Sequence, residues 1–206
     1  MDKKYWDDFY AGKFKLDIPS QFCSLFCQEV GAGSKVIEFG CGNGRDSRVM
    51  ANYGLKVLGI DSSFSAIEYC NSNKNSESLH YELMQVDALN INLLNKYCST
   101  DTIYIYSRFF QHSITEDEQY KMMQDISILK SKKIIAYFEF RNNYDESEVK
   151  TYSGHYRRFQ SIDYFINLLI SNGFKINYSI SGKGLSKYFD EDPNISRIIC
   201  EKAVND

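Results

Sequence analysis

Histidine is scarce in this 206-residue chain, with three copies at positions 80, 112 and 155. None stands near any of the six cysteines at 23, 27, 41, 70, 98 and 200, and no CxxC pair occurs. Zinc sites need tighter ligand pairs than these, so no metal centre is expected. Cys23 and Cys27 sit four apart on an expected helix, where thiols serve as small buried hydrophobes, and a reducing compartment is the simplest fit. A basic excess is also missing. Against 24 Lys and Arg stand 27 Asp and Glu, a net charge of −3, which argues against duplex nucleic acid as a partner. Uncharged apolar runs last only a handful of residues, far short of the roughly 20 that span a bilayer, so no membrane association is expected. The opening MDKKYWDDFY has acids and aromatics where an export signal needs an apolar stretch. The expected location is therefore cytoplasmic. What is present is 43% hydrophobic and 15% aromatic residues, enough to fill one sizeable core.

Short β-branched runs alternate with amphipathic stretches. Residues 35–39 read as a first strand, closed by Gly40-Cys41-Gly42-Asn43-Gly44 and followed by a helix over about 46–53. A second strand over 56–60 ends at Asp61, and Ser62-Ser63 can cap a helix reaching about Asn71. Further strands are expected over 81–86, 102–106 and 133–140, with a helix over about 116–129 between the last two. A last helix near 162–171 precedes strands near 175–181 and 196–202. Such alternation implies right-handed crossovers and a mostly parallel, doubly wound sheet covered on both faces. The last two strands have no helix between them and are expected to form an antiparallel hairpin. One domain over 1–206 is expected: an N-terminal helix or lid over 1–30, a cofactor-binding core over 33–140, and an acceptor-side segment with the hairpin over 141–206.

In open α/β sheets ligands bind at the carboxyl ends of the strands, where strand order reverses. The small and acidic residues of this chain stand at those ends. Glycines after strand one let the backbone turn tightly and approach a ligand. Asp61 lies about 20 residues further on, where a carboxylate can accept both hydroxyls of a ribose. Asp87, followed by Ala88, ends strand three, where an acid can meet an adenine amino group.

The glycine spacing is GxGxG rather than GxGxxG, with Glu38 two residues ahead. Here the chain resembles the class I S-adenosylmethionine-dependent methyltransferases. Val36 through Asp46 is similar to their first motif, Leu58-Gly59-Ile60-Asp61-Ser62-Ser63 to the second, and Gln85-Val86-Asp87-Ala88 to the third. The resemblance covers about 33–140 and implies a Rossmann-like seven-stranded sheet and S-adenosyl-L-methionine as cofactor. It implies that Gly40, Cys41 and Gly42 pass beneath the methionine part, that Asp61 with Ser62 binds the ribose, and that Asp87 with Ala88 holds the adenine. Backbone near Gly40 and Ser107 would take the amino-acid end, with Glu38 beside its ammonium. The N-terminal Tyr5-Trp6-Asp7-Asp8-Phe9-Tyr10 resembles an aromatic lid helix, which puts Trp6 and Tyr10 over the cofactor.

A narrower likeness runs through Ile105-Tyr106-Ser107-Arg108-Phe109-Phe110-Gln111-His112-Ser113-Ile114, Gly154-His155-Tyr156-Arg157-Arg158-Phe159, Gly184-Leu185-Ser186-Lys187 and Asp190-Glu191-Asp192-Pro193-Asn194. It is similar to small bacterial methyltransferases that modify phosphonates, and to relatives encoded with surface-polysaccharide synthesis. The residues themselves gather cations in an acidic chain. Arginine's planar fork suits phosphate, phosphonate or carboxylate oxygens, so a small polar anionic acceptor is expected. Arg108, His112 and His155 are the candidate catalytic residues, and Tyr106, Arg157 and Arg158 the candidate acceptor-binding ones. A sugar hydroxyl as acceptor needs a base such as His112 or His155 with a pKa near neutrality, whereas a phosphonate or phosphate oxygen needs none. Tyr106-Ser107-Arg108-Phe109 lacks the prolines of amino-methylating DNA enzymes at that place. A monomer or weak homodimer is expected.

Overall fold

The computed structural model describes residues 1–12, 18–146, 148, 154–188 and 190–203. Residues 13–17 of the expected lid, and 147, 149–153, 189 and 204–206 of the expected acceptor-side segment, lie outside the described residues. Seven strands form one sheet: β1 Lys35–Phe39, β2 Lys56–Asp61, β3 Leu79–Leu83, β4 Thr102–Arg108, β5 Lys133–Arg141, β6 Lys175–Gly182 and β7 Ile195–Ala203. Their spatial order is β3-β2-β1-β4-β5-β7-β6. The first five are mutually parallel, and β7 inserts antiparallel between β5 and β6. This is the Rossmann-like sheet with a C-terminal antiparallel hairpin.

Alternation along the strands divides the core into two layers. In β1, Ile37 and Phe39 join a cluster completed by α5 (Ile91–Tyr97), α6 (Glu116–Ser127) and α7 (Ile162–Ser171). Val36 faces the other way, into a cluster with α2 (Gln21–Glu29), α3 (Arg45–Asn52) and α4 (Phe64–Ser72). All six cysteines are buried and unbridged, Cys23 and Cys27 among the apolar side chains of α2. Helix starts follow their caps. Ser20 and Ser63 accept from the third residue of α2 and α4, and α6 carries a full capping box between Thr115 and Glu118. Helix α5 is short and was not anticipated from periodicity.

One strand boundary moves in a way that matters. β3 pairs with β2 from Leu79 opposite Val57 to Leu83 opposite Asp61. The ladder stops because β2 itself ends there. Asp87 therefore lies four residues beyond the strand, on an exposed loop, instead of at its end. No described helix is long and apolar enough to cross a membrane.

Candidate active site

Connections from β1 run outward to β2 and β3 on one side, while β4 and β5 lie on the other. The reversal leaves a crevice above the carboxyl ends of β1 and β4. A cavity of about 250 Å³ opens there. Its floor is Glu38, Gly40, Cys41, Asn43, Arg45 and Asp46 from β1 and the start of α3, with Asp61 from β2. Its far wall is Arg108 through Phe110, His112 and Ser113 after β4, and Arg141 at the end of β5. The N-terminal helix α1 (Lys3–Ala11) and the segments around His155 and Ser186–Pro193 close it above.

On the cofactor side, Gly40, Gly42 and Gly44 all have positive φ, at 74°, 52° and 70°. A Cβ at Gly40 would stand 2.5 Å from the Phe110 ring, and one at Gly42 would overlap the hydroxyl of Tyr10. Only glycine permits both the turn and these approaches. Asp61 accepts from Gly42 N and Ser63 N, each at 2.9 Å, so backbone amides hold the carboxylate at the cavity edge. Burial raises its pKa against those hydrogen bonds. Glu38 is buried, hydrogen-bonded by Ser47 Oγ, and its pKa is driven well up by burial and then by Asp46. Asp46 in turn accepts from Ser20 N, Ser20 Oγ and Tyr106 Oη at 2.9, 2.7 and 2.9 Å. These bonds tie α2, α3 and β4 together beneath the cavity.

Helix α1 lies across this floor. Asp7 Oδ1 accepts from Ser63 Oγ and Ser65 N at 2.9 and 2.8 Å, pinning it to the start of α4. Trp6, Phe9 and Tyr10 line the cavity, and Tyr10 rests on Gly42 beside Asp61, where burial and then Asp61 raise its pKa strongly. Tyr5 stacks on His155 at 4.3 Å and Trp6 meets it edge-on at 4.8 Å, so the lid touches both halves of the site.

The far wall is built from guanidinium groups. Arg108 Nε donates to Glu139 Oε1 at 2.9 Å and its Nη2 to Ser186 Oγ at 3.0 Å. The Phe109 ring stands 4.1 Å from the Arg108 guanidinium and 5.4 Å from that of Arg141. Phe109 is the one described non-glycine residue with positive φ, at 53°, a conformation that costs about 1–3 kcal/mol and clusters at working sites. Arg108 and His112 both line the cavity here. His112 Nδ1 accepts from Arg141 N at 3.2 Å, which places its proton on Nε2. Burial first, then Arg141, Arg157, His155 and Arg108, hold its pKa well below the histidine range. Burial and then Arg157 push His155 down to about 4. Neither matches the expected base poised near neutrality.

Several expected site residues stand elsewhere. Tyr106 is wholly buried beneath the site, bonded to Asp46, and Ser107 is equally buried and accepts from Gln111. Ser62 lies beside Met1 Sδ and does not line the cavity. Asp87 and Ala88 are exposed and outside its lining. Arg158 turns away, donating to Gln119 Oε1 at 2.6 Å and lying over Tyr164, so it supports the fold. Arg141 and Glu191 were not among the expected site residues. The signal for Arg141 was present, since Glu139 and Arg141 are charges in a strand, KIIAYFEFR, that is otherwise nearly all apolar. Among the described residues no cluster of His, Cys, Asp and Glu is placed to hold a metal ion.

Residues 36–132 match the methyltransferase domain family. The match covers 97 of the 206 residues, so this stretch is similar to a methyltransferase domain. It spans β1 to the start of β5, the half of the molecule that carries the glycine loop and Asp61. Solved structures share the whole fold. A methyltransferase from Anabaena variabilis aligns over 98% of this chain and 93% of its own at TM-score 0.74 and 18% identity. One from Methanosarcina mazei aligns over 92% and 100% at 0.69 and 15%. One from Mesorhizobium loti aligns over 87% and 95% at 0.67 and 16%. All three are described as S-adenosylmethionine-dependent. No curated protein matches in sequence. S-adenosylmethionine is the cofactor that goes with this domain and fold, and the residues present fit it. The loop backbone at Gly40 and Gly42, packed against Phe110 and Tyr10 with no room for a Cβ, borders the cavity, and Asp61 presents a carboxylate there that suits ribose hydroxyls.

Proposed function

We propose that the chain is an S-adenosylmethionine-dependent methyltransferase that methylates an oxygen of a small, polar, anionic acceptor. The observation carrying the acceptor class is the convergence of Arg108, Arg141 and Arg157 on one cavity in a chain of net charge −3. S-adenosylmethionine, when bound, supplies an activated methyl: the acceptor oxygen bonds to its carbon as the carbon–sulfur bond breaks, and the electron pair stays on sulfur in S-adenosylhomocysteine. A phosphonate or phosphate oxygen is already charged near pH 7, so this chain's own residues need only align it and exclude water. Guanidinium forks do the first. Trp6, Phe9, Tyr10 and Phe109 do the second. His112, with its proton on Nε2, serves as a neutral donor in the acceptor wall rather than as a base. The acceptor group is phosphonate-like or a phosphate carried on a sugar, of the kind used in surface-polysaccharide synthesis, and the chain works as a monomer or weak homodimer in the cytoplasm.

Methyl-labelled S-adenosylmethionine offered with matched acceptors tests this reading. A sugar phosphate and the same sugar without phosphate form one pair, and methylphosphonate and ethanol another. Label is expected on the anionic member of each pair. Equal or preferential labelling of the neutral members would contradict the anionic acceptor.

A further inference from the structure

We infer that Glu191 is a built-in occupant of the acceptor's anion seat, and that the acceptor's phosphoryl-type group displaces it from between Arg141 and Arg157. This rests on the proposed acceptor class and adds where the anion sits and what it must compete with.

Arg141 divides its guanidinium between two carboxylates of different standing. Nη1 donates to Asp145 Oδ2 at 2.7 Å. Asp145 is wholly buried, does not line the cavity, and also accepts from Asn194 N at 2.7 Å, which makes it a fixed part of the fold. Nη2 donates to Glu191, which does line the cavity. Glu191 acts on a second guanidinium as well. Burial and then Arg141 depress the pKa of Arg157, and Glu191 is the strongest group working against them. The other acids of the described lining, Glu38, Asp46 and Asp61, belong to the β1 and β2 side. Glu191 is thus the one described lining carboxylate on the side of Arg108, Arg141 and Arg157, since Asp46 pairs with Arg45 across the floor.

Two guanidinium groups drawn together out of water repel unless an anion stands between them. In this structure Glu191 answers that need. A phosphoryl group answers it better, because several oxygens can meet both forks at once. Glu191 sits on the loop joining β6 to β7, paired with Tyr188 through both backbone bonds at 2.8 and 2.9 Å. That two-residue link lies outside the sheet ladder, so the loop can give way without unpairing β7. The arrangement discriminates. A neutral molecule cannot replace the carboxylate, and a singly charged one gains little by doing so, whereas a dianion outcompetes it.

The test is calorimetric titration of inorganic phosphate and of methylphosphonate into the full chain, with and without S-adenosylhomocysteine. Wild type, Glu191→Gln, Glu191→Ala and Arg157→Ala are compared. Both Glu191 variants are expected to bind the anions roughly tenfold tighter than wild type, and Arg157→Ala roughly tenfold more weakly. Unchanged or weaker anion binding in the two Glu191 variants would overturn the inference. Tighter anion binding in a chain that fails to bind S-adenosylhomocysteine would uphold the seat and overturn the cofactor reading.

Discussion

Side chains that look alike in the sequence do different work in the site. Arg157 faces the cavity, while its neighbour Arg158 donates to Gln119 and covers Tyr164. At Gly42 the backbone itself is the functional group, since its φ of 52° and the Tyr10 ring above it leave no room for Cβ. Gly42→Ala is expected to cost about 1–2 kcal/mol in urea unfolding from left-handed strain alone. Gly31→Ala, with open space around it and ordinary φ, should stay within about 0.5 kcal/mol. Equal costs would remove the argument for the cradle. His155 offers a titration. Held down to about 4, it stays neutral between that value and 6.5, while the unfolded chain takes up a proton in the same window. Stability should therefore rise with pH from about 4 to 6.5, and the His155 proton resonances should titrate near 4. A midpoint near 6.5 would mean that Tyr5 and Trp6 do not cover it.

At the scale of elements, α1 is only lightly embedded. None of its residues is fully buried, and it is held by Asp7 on the start of α4 and by ring contacts with His155. Such an element opens at low cost, and Tyr10 must shift from Gly42 for a ligand to lie along the loop. Removing residues 1–12 is expected to abolish most methyl transfer while leaving far-UV circular dichroism close to that of the full chain. Full activity after the deletion would show that α1 is not a lid. That the N-terminus packs onto the body of the molecule was legible as five aromatics within the first fourteen residues, too many for a solvated tail. Trp6 and Tyr10 were expected at the site and both line the cavity, whereas the stacking of Tyr5 on His155 was not legible, because it depends on Asp7 reaching a helix start more than fifty residues away. The same limit explains the misplaced acids and arginines. Asp87 was expected at the end of strand three, but the β2–β3 ladder ends at Leu83 and leaves it on an exposed loop. Arg141 was overlooked because its partners, Asp145 and Glu191, come together only when β7 returns beside β5.

For the whole molecule, strand order puts the site where it is. β1 lies at the reversal, so the glycine loop, Asp61 and the ends of β4 and β5 meet above one crevice. That much followed from the alternation of strands and helices, since crossover handedness permits few arrangements of such a chain. The insertion of β7 between β5 and β6 brings the loop carrying Ser186 and Glu191 over the same crevice and completes its far wall. The central claim is that Asp61 and the glycine loop form a seat for S-adenosylmethionine, and titration calorimetry of S-adenosylhomocysteine into wild type and Asp61→Ala tests it most directly. The account predicts one-site binding by wild type and binding at least tenfold weaker by the variant, ~1.4 kcal/mol or more, from the lost charge-assisted hydrogen bonds to ribose. No binding by the folded wild-type chain, or equal affinity in the two, would contradict it.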